Sequence, residues 1–446
     1  MAKTIFSLSA LIFSVMLLVM GNTFLSTLLG LRLSLEGIDP AVIGWVLVGF
    51  SIGSILGSIY SKNIIERVGH IRSFAVFAAT MAVVALLHPL FVSPAVWAVL
   101  RAISGLSMAG LMVVIESWFS TRANNENRGK LFGIYQIVVY LAAASGQMLI
   151  ATSNPASLRP FSIAAILLTI ALIPLALTRM SAPSIERVER LPFKTLFKLA
   201  PLALIAAPVS ALVSSAFSAM GPVYAHLIGL EISEIAIFMA APVLAAMFFA
   251  WPIGRLSDMF QRQIILLLLA IVAAGCSIVA ALYGGSNLLL LFVMVECVIG
   301  FTAAIYPIAV ALVNDRLHQH QIVAASGGLL LSHGLGSIFG PVLGSAAISF
   351  VGPNGLFLFT GFILSLLILF TLWRIIRFPA ISAKEQERFV TAMPISDVSI
   401  LNELDPRNEE FVATPPQRER RRDDRPRTND PETDDSGPDS RGAPDS

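Results

Sequence analysis

The sequence predicts an all-α polytopic membrane protein, with twelve transmembrane helices arranged as two pseudo-symmetric six-helix bundles. Three observations predict this class. Apolar residues make up 56% of the 446 and charged residues 13%, and the mean hydropathy is +0.79, far from soluble averages. Twelve apolar runs reach the roughly 20 residues that a bilayer crossing needs. Residues of the first half also recur in the second at a near-constant offset, as expected of a duplicated transport fold.

The runs are justified in chain order. The first, near 8–31, follows one basic residue, Lys3. It is too long for a signal-peptide core and lacks a small-x-small cleavage site, so it reads as an uncleaved first span. Gly37-Ile38-Asp39-Pro40 supplies turn chemistry before the second, near 42–61. Runs near 73–91, 95–120, 131–151 and 160–178 complete a first bundle over 1–179. Residues 180–199 form the longest internal loop. Runs near 200–227, 233–256, 263–283, 287–312, 322–350 and 354–374 build a second bundle over 200–377, broken at Gly284-Gly285 and Gly352-Pro353. Pro174, Pro208, Pro242 and Pro307 fall inside runs, where neighbouring helices satisfy the carbonyls they free.

Charge sets orientation. In short connections, 17 Lys/Arg fall on the side of the N-terminus and two, Arg32 and Arg159, on the other. The positive-inside rule then places both termini in the cytoplasm. Residues 1–377 carry 20 Lys/Arg and 12 Asp/Glu, while 378–446 carry 10 and 16. The tail is rich in Pro and acidic residues, cannot bury a core, and is expected to be disordered. Its more apolar part, 389–404, has two readings: it docks onto the body or stays solvated. Cys276 and Cys297 both lie in apolar runs and report nothing about redox compartment.

Two charges mark the fourth run. Arg101 lies near its start and Glu116 near its end, and a charge at such depth must face protein interior or a water-filled cavity. On a helix Arg101, Gly105, Met108, Met112 and Phe119 share a face, with Glu116 about 60° away. The two charges are about 22 Å apart along the helix and cannot pair with each other. This helix therefore lines a polar path, with Glu116 either a cavity residue or the partner of Arg122 or a nearby loop. Equivalences across the halves are Glu66 with Asp258, Arg101 with Glu296, Gly105 with Gly300, Arg122 with Arg316 and Gly146 with Gly340.

The stretch from Gly254 through Arg255, Leu256, Ser257 and Asp258 to Arg262 resembles the G-x-x-x-D-R-x-G-R-R signature of the major facilitator superfamily. The weaker first-half copy has Lys62 for the first Gly and Glu66 for the Asp, and retains Arg67, Gly69 and Arg72. The resemblance implies a gate latch built by Glu66, Arg67, Gly69, Arg72, Gly254, Asp258 and Arg262. Met259 and Gln261 depart from the signature. Arg101-x-x-x-Gly105 resembles a fourth-helix motif of proton-coupled members. Gly334-x-Gly336-x-x-x-Gly340-Pro341-x-x-Gly344 resembles an antiporter glycine motif but sits in run eleven, where close packing explains it as well.

Longer strings resemble the YcaD-like transporters of bacterial inner membranes: GNTFLSTLLGLR with RVGHIR, VVIESWF followed by NRG, WPIGRLSD, IYPIAVALVNDRL and VAASGGLLLSHGLGSIFGP. The likeness covers residues 12 to about 375, and it departs where Ser120 stands for Asn and where basic residues are sparse after Asp258. It implies the twelve-helix fold of the superfamily and a transport role without a stated ligand.

Polar residues inside spans complete the candidates. Asn22, Tyr140, Tyr306 and His333 join Arg101, Glu296 and Glu116 as substrate or proton-coupling residues, interhelical hydrogen bonding being the plainer reading of the uncharged ones. For Glu296 function outweighs structure, because an unpaired buried carboxylate is costly. The expected function is secondary active transport of a small organic solute by alternating access, proton-coupled and leaning to efflux. The alternative is a transporter-fold receptor or scaffold that acts through its tail. No phosphate-binding G-x-x-x-x-G-K-[ST] loop, nucleophile–base pairing or metal-ligand spacing occurs in the sequence, so neither ATP, nor an enzyme activity, nor a cofactor is expected beyond the proton gradient. The expected partners are the solute and the lipid bilayer, without nucleic acid, and the expected state is a monomer in the inner membrane.

Overall fold

The computed structural model describes residues 2–122, 128–177, 193–315 and 319–377. The tail from 378 onward and most of the 180–199 loop, with the expectations attached to them, lie outside the described residues, as do the side chains of Arg122 and Arg316. The first half holds α1 (Ala2–Leu35), α2 (Pro40–Val68), α3 (His70–Leu90), α4 (Pro94–Arg122), α5 (Arg128–Met148), a 3-10 turn at Leu149–Thr152, α6 (Arg159–Ile170) and α7 (Leu172–Ala176). The second holds α9 (Pro201–Leu227), α10 (Ile232–Met259), α11 (Arg262–Tyr283), α12 (Leu288–Asn314), α13 (Gln319–Val351) and α14 (Gly355–Arg377). Twelve spans long and apolar enough to cross a membrane result, α6 and α7 together making the sixth. Pro174 lies within α7 and has no N–H to offer the preceding turn, which accounts for the break. Residues 193–199, expected as loop, instead form α8 (Phe193–Leu199), anchored by fully buried Leu196.

The helix ends also differ from expectation. α2 continues to Val68 and α10 to Met259, so Glu66 and Asp258 sit in last helical turns rather than in loops. Gly69 ends α2 at φ +88°, a conformation that only glycine adopts without strain, and its N–H reaches Ile65 O at 2.8 Å. Its counterpart Gln261 has φ −60° and needs no glycine.

The duplication is visible in packing. The pairs α1·α5, α2·α4, α3·α4, α3·α6 and α1·α6 recur as α9·α13, α10·α12, α11·α12, α11·α14 and α9·α14. Gly105 on α4 packs against Phe50 and Ser54 of α2, and Gly300 on α12 against Ala245 and Phe249 of α10, so every member is displaced by 195. Gly146 meets Met20 and Thr23, and Gly340 meets Leu212 and Ser215. The turns before α2 and α10 match as well. Gly37 and Gly229 both have positive φ, and Asp39 and Glu231 cap the helices that follow.

The halves close on each other at one end. There Ala41 N–H donates to Ser349 Oγ at 3.0 Å, Ser349 Oγ to Asp39 Oδ1 at 3.2 Å, and Ser34 Oγ lies 2.7 Å from His226 Nδ1. Nearer mid-helix, Ser51 Oγ donates to Ser337 O at 3.1 Å. One apolar core runs from the first half into this end of the second, through Phe217, Tyr224, Phe238 and Phe357. The opposite end of the second half has a separate core around Leu204, Leu266 and Ile308. Large apolar side chains such as Trp251, Leu289, Phe350 and Ile376 point outward, as a lipid-facing surface requires.

Candidate functional site

Arg101 is held by the tightest helix pair of the first half. Along α2, Gly49, Gly53 and Gly57 stand one turn apart against Ala98, Ala102 and Leu106 of α4. Without side chains there, the α2 backbone approaches α4 on either side of Arg101 and fixes its root. Arg101 as a whole is 4% exposed. Its Nη2 donates to Ser26 Oγ of α1 at 3.1 Å, and its carbon lies 4.4 Å from the Phe50 ring centre. A desolvated cation–π contact of this kind contributes about 2 kcal/mol. The nitrogens Nε and Nη1 are buried without a hydrogen-bond partner.

Glu296 occupies the equivalent place, eight residues into α12 where Arg101 is seven into α4. The depths agree, and neither residue takes part in an ion pair among the described residues. Equivalence under a pseudo-twofold places two residues on opposite bundles at one depth and does not bring them into contact. Glu296 is half-buried, and Ala245 stands where a counterpart of Phe50 would cover it.

The remaining candidates separate into clusters. Tyr306 and His333 come together on α12 and α13, edge to face with ring centres 4.7 Å apart, and both are buried. Asn22 lies one turn from Ser26 on α1, half-buried, with its Oδ1 lacking a partner. Tyr140 is buried on α5. Glu116 is fully buried on α4, and Tyr135 of α5 packs edge-on against Phe119 with ring centres 4.9 Å apart.

The two latch sequences fold differently. In the second half Arg262 is fully buried, donates to Ala311 O at 3.0 Å, and pairs with Asp315 just beyond α12. Asp258 is a longer, partly exposed partner at 3.7 Å, and Gly254 is buried one turn behind it. In the first half Glu66, Arg67 and Arg72 are exposed and form no ion pair among the described residues, and Gly69 provides only the helix stop. Where Arg262 stands in the second half, the first has His70, buried against Trp118 with ring centres 5.9 Å apart. Sequence reasoning missed Asp315, Phe50 and Ser26. Asp315 follows α12 directly in IYPIAVALVNDRL, and an acid at a helix end facing a basic α11 start was the available signal.

The glycines of α13 serve packing. Gly336 meets Pro208 O, Gly340 meets Leu212 and Ser215, and Gly344 meets Ala216, all on α9. Among the described residues no group of three or more His, Cys, Asp or Glu could hold a metal ion.

Comparison with known proteins agrees with this architecture. The chain matches the Major Facilitator Superfamily over residues 11–327 and again over 233–401. It is 29% identical over 353 residues to an uncharacterized MFS-type transporter of Enterobacter sp. (strain 638), covering 78% of this chain and 90% of the relative. It is 28% identical over 350 residues to the uncharacterized MFS-type transporter YcaD of Escherichia fergusonii, with the same coverage. Its fold resembles the crystal structure of a bacterial homologue of the human lysosomal transporter Spinster, in an inward-facing and unoccupied conformation. That match has a TM-score of 0.71 at 15% identity and covers 86% of this chain and 98% of the other.

Proposed function

The chain belongs to the Major Facilitator Superfamily, a multi-pass bacterial membrane transporter rather than an enzyme, and from that premise we propose that it exports a small organic solute across the inner membrane by alternating access, coupled to the proton gradient. The observation that carries this reading is the one-sided closure of the bundle. Among the described residues the hydrogen bonds between halves cluster around the turns that precede α2 and α10 and their outer helical turns, and the shared apolar core lies at the same end. With both termini cytoplasmic, the orientation that the basic residues favour, that end faces outward and is the closed one, and alternating access would open the other. Proton coupling draws support from Glu296, a half-buried carboxylate eight residues into a span, where an ionisable group is costly unless it works. The efflux direction rests on the resemblance to the YcaD-like branch alone.

The test is metabolite profiling of cells that lack the gene against cells that express it, followed by proton-flux measurement in everted membrane vesicles. A solute retained in the deletion strain, released on expression, and moved only while a pH gradient stands is the expected result. No solute changing with the gene overturns the transporter reading, and movement indifferent to a protonophore overturns the coupling.

A further inference from the structure

Arg101 carries a charge that no neighbour among the described residues neutralises. It is 4% exposed, has no carboxylate at ion-pair distance among the described residues, and leaves Nε and Nη1 without hydrogen-bond partners. An arginine stays charged at accessible pH, and a buried cation without a counter-ion is among the most costly arrangements a fold can hold. The surroundings also restrict how the charge can be met. The ring of Phe50, 4.4 Å from the guanidinium carbon, covers one face, so an anion approaches in the plane of the N–H groups. Only Nη2 is engaged, by a neutral hydroxyl, Ser26 Oγ at 3.1 Å. Donors therefore remain for two oxygens of one head group. The glycine contacts of α2 on Ala98 and Ala102 fix the root of the side chain, so it does not swing away to find a partner. Asn22 and Ser26, one turn apart on α1, are half-buried, and the Asn22 amide oxygen is itself without a hydrogen-bond partner.

We infer that Arg101, Ser26 and Phe50 form the head-group site for an organic anion, a solute bearing a carboxylate or a phosphoryl group. The inference rests on the transporter reading above and names its substrate class. When the anion binds, its oxygens take the vacant N–H groups of Arg101, Asn22 can turn its amide nitrogen toward it, and the charge is neutralised inside the bundle. In the empty protein the site stands as stored instability, which is how a binding residue differs from a structural one.

The test has two arms, both on the full chain. The first repeats the metabolite profiling with wild type, Arg101→Gln, Arg101→Lys and Ser26→Ala at matched membrane abundance, analysing aqueous and lipid fractions separately. The expected result is that the solutes depending on the gene are anions, that Arg101→Gln loses them by about tenfold or more, and that Arg101→Lys and Ser26→Ala retain part. Gene-dependent solutes that are all neutral or cationic overturn the inference while leaving the transporter standing, and so does anion transport unchanged in Arg101→Gln. No gene-dependent solute overturns the transporter reading itself. An acidic lipid as the only such species keeps the head-group chemistry and overturns the small-solute reading. The second arm needs no ligand: thermal unfolding of the purified empty protein. Arg101→Met should unfold at or above the wild-type Tm, since it removes an unpaired buried charge. A clear fall in Tm would show Arg101 to be structural and overturn the inference.

Discussion

The two halves share their backbone packing and differ in what they do with charge. Gly105 against Phe50 and Ser54, and Gly300 against Ala245 and Phe249, are the same helix contact made twice. Around that common joint the first half buries a cation under an aromatic ring, and the second leaves an acid half-buried with alanine in place of the ring. At the ends of α2 and α10 the contrast reverses. The second half buries Arg262 with Asp315, while the first leaves Glu66, Arg67 and Arg72 in the open and buries His70 on Trp118. Duplication preserved what the backbone needs, namely small residues at close approaches and caps at turns. The side chains that face the interior were free to diverge. A fixed charge on one side and a titratable one on the other is an asymmetry a coupled transporter can use.

The largest effects should come from the Arg101–Glu296 contrast. Arg101→Ala should cost about a hundredfold or more in kcat/KM, because it removes several charge-assisted hydrogen bonds to the proposed anion. Glu296→Gln should behave differently. It should keep solute binding and exchange and lose accumulation or extrusion against a gradient, because the proposed proton site is gone and the proposed anion site remains. Counterflow and pH-driven transport measured on both variants separate the roles. If the two variants have the same phenotype, or Glu296→Gln still responds to the pH gradient, the division between fixed and titratable charge fails, and Glu116 becomes the next carboxylate to test.

The buried latch comes next. Asp315→Asn removes the nearer and buried carboxylate from Arg262, and breaking a buried pair costs about 3–5 kcal/mol. A lower apparent Tm in detergent checks it. Asp258 is 39% exposed and 3.7 Å from Arg262, and a partly exposed pair contributes about 0–1 kcal/mol. Asp258→Asn should therefore lower transport several-fold at most, with membrane abundance intact. Equal losses of stability in the two variants would place Asp258 on the same footing as Asp315.

The fold was readable from the chain because its signals are local or periodic. Twelve apolar runs, the turn glycines at Gly37, Gly69 and Gly352, and the repeat offsets all act within one helix or its nearest connection. The sites were readable only in part, since they depend on which faces meet. Arg101 announced itself by burying a charge in a span, but its companions Ser26 and Phe50 are 75 and 51 positions away and are ordinary residues in the sequence. Glu296 lies as far into α12 as its equivalence with Arg101 in α4 implied, but an offset reports equivalence and not contact, so the groups that face it were not legible in the sequence. Asp315 was hidden for a related reason: it binds Arg262 across 53 residues, whereas the signature pointed to Asp258 only four away.

The smallest expected effect sharpens the comparison most, since it concerns the first-half copy of the latch. Glu66 matches Asp258 in sequence and ends α2 as Asp258 ends α10. Its surroundings do not match. The position equivalent to Arg262 is His70, whose ring is buried against Trp118, so no guanidinium waits one turn on. Glu66 is exposed and forms no ion pair among the described residues, and a change at such a surface site is usually worth within about 0.5 kcal/mol. Glu66→Gln should leave Tm and transport rate at wild-type values under conditions where Asp258→Asn is measurably slower. A shutdown in Glu66→Gln as large as that in Asp258→Asn would mean that Glu66 finds a partner in the state closed on the cytoplasmic side. The halves would then be alike in mechanism despite their difference in this one.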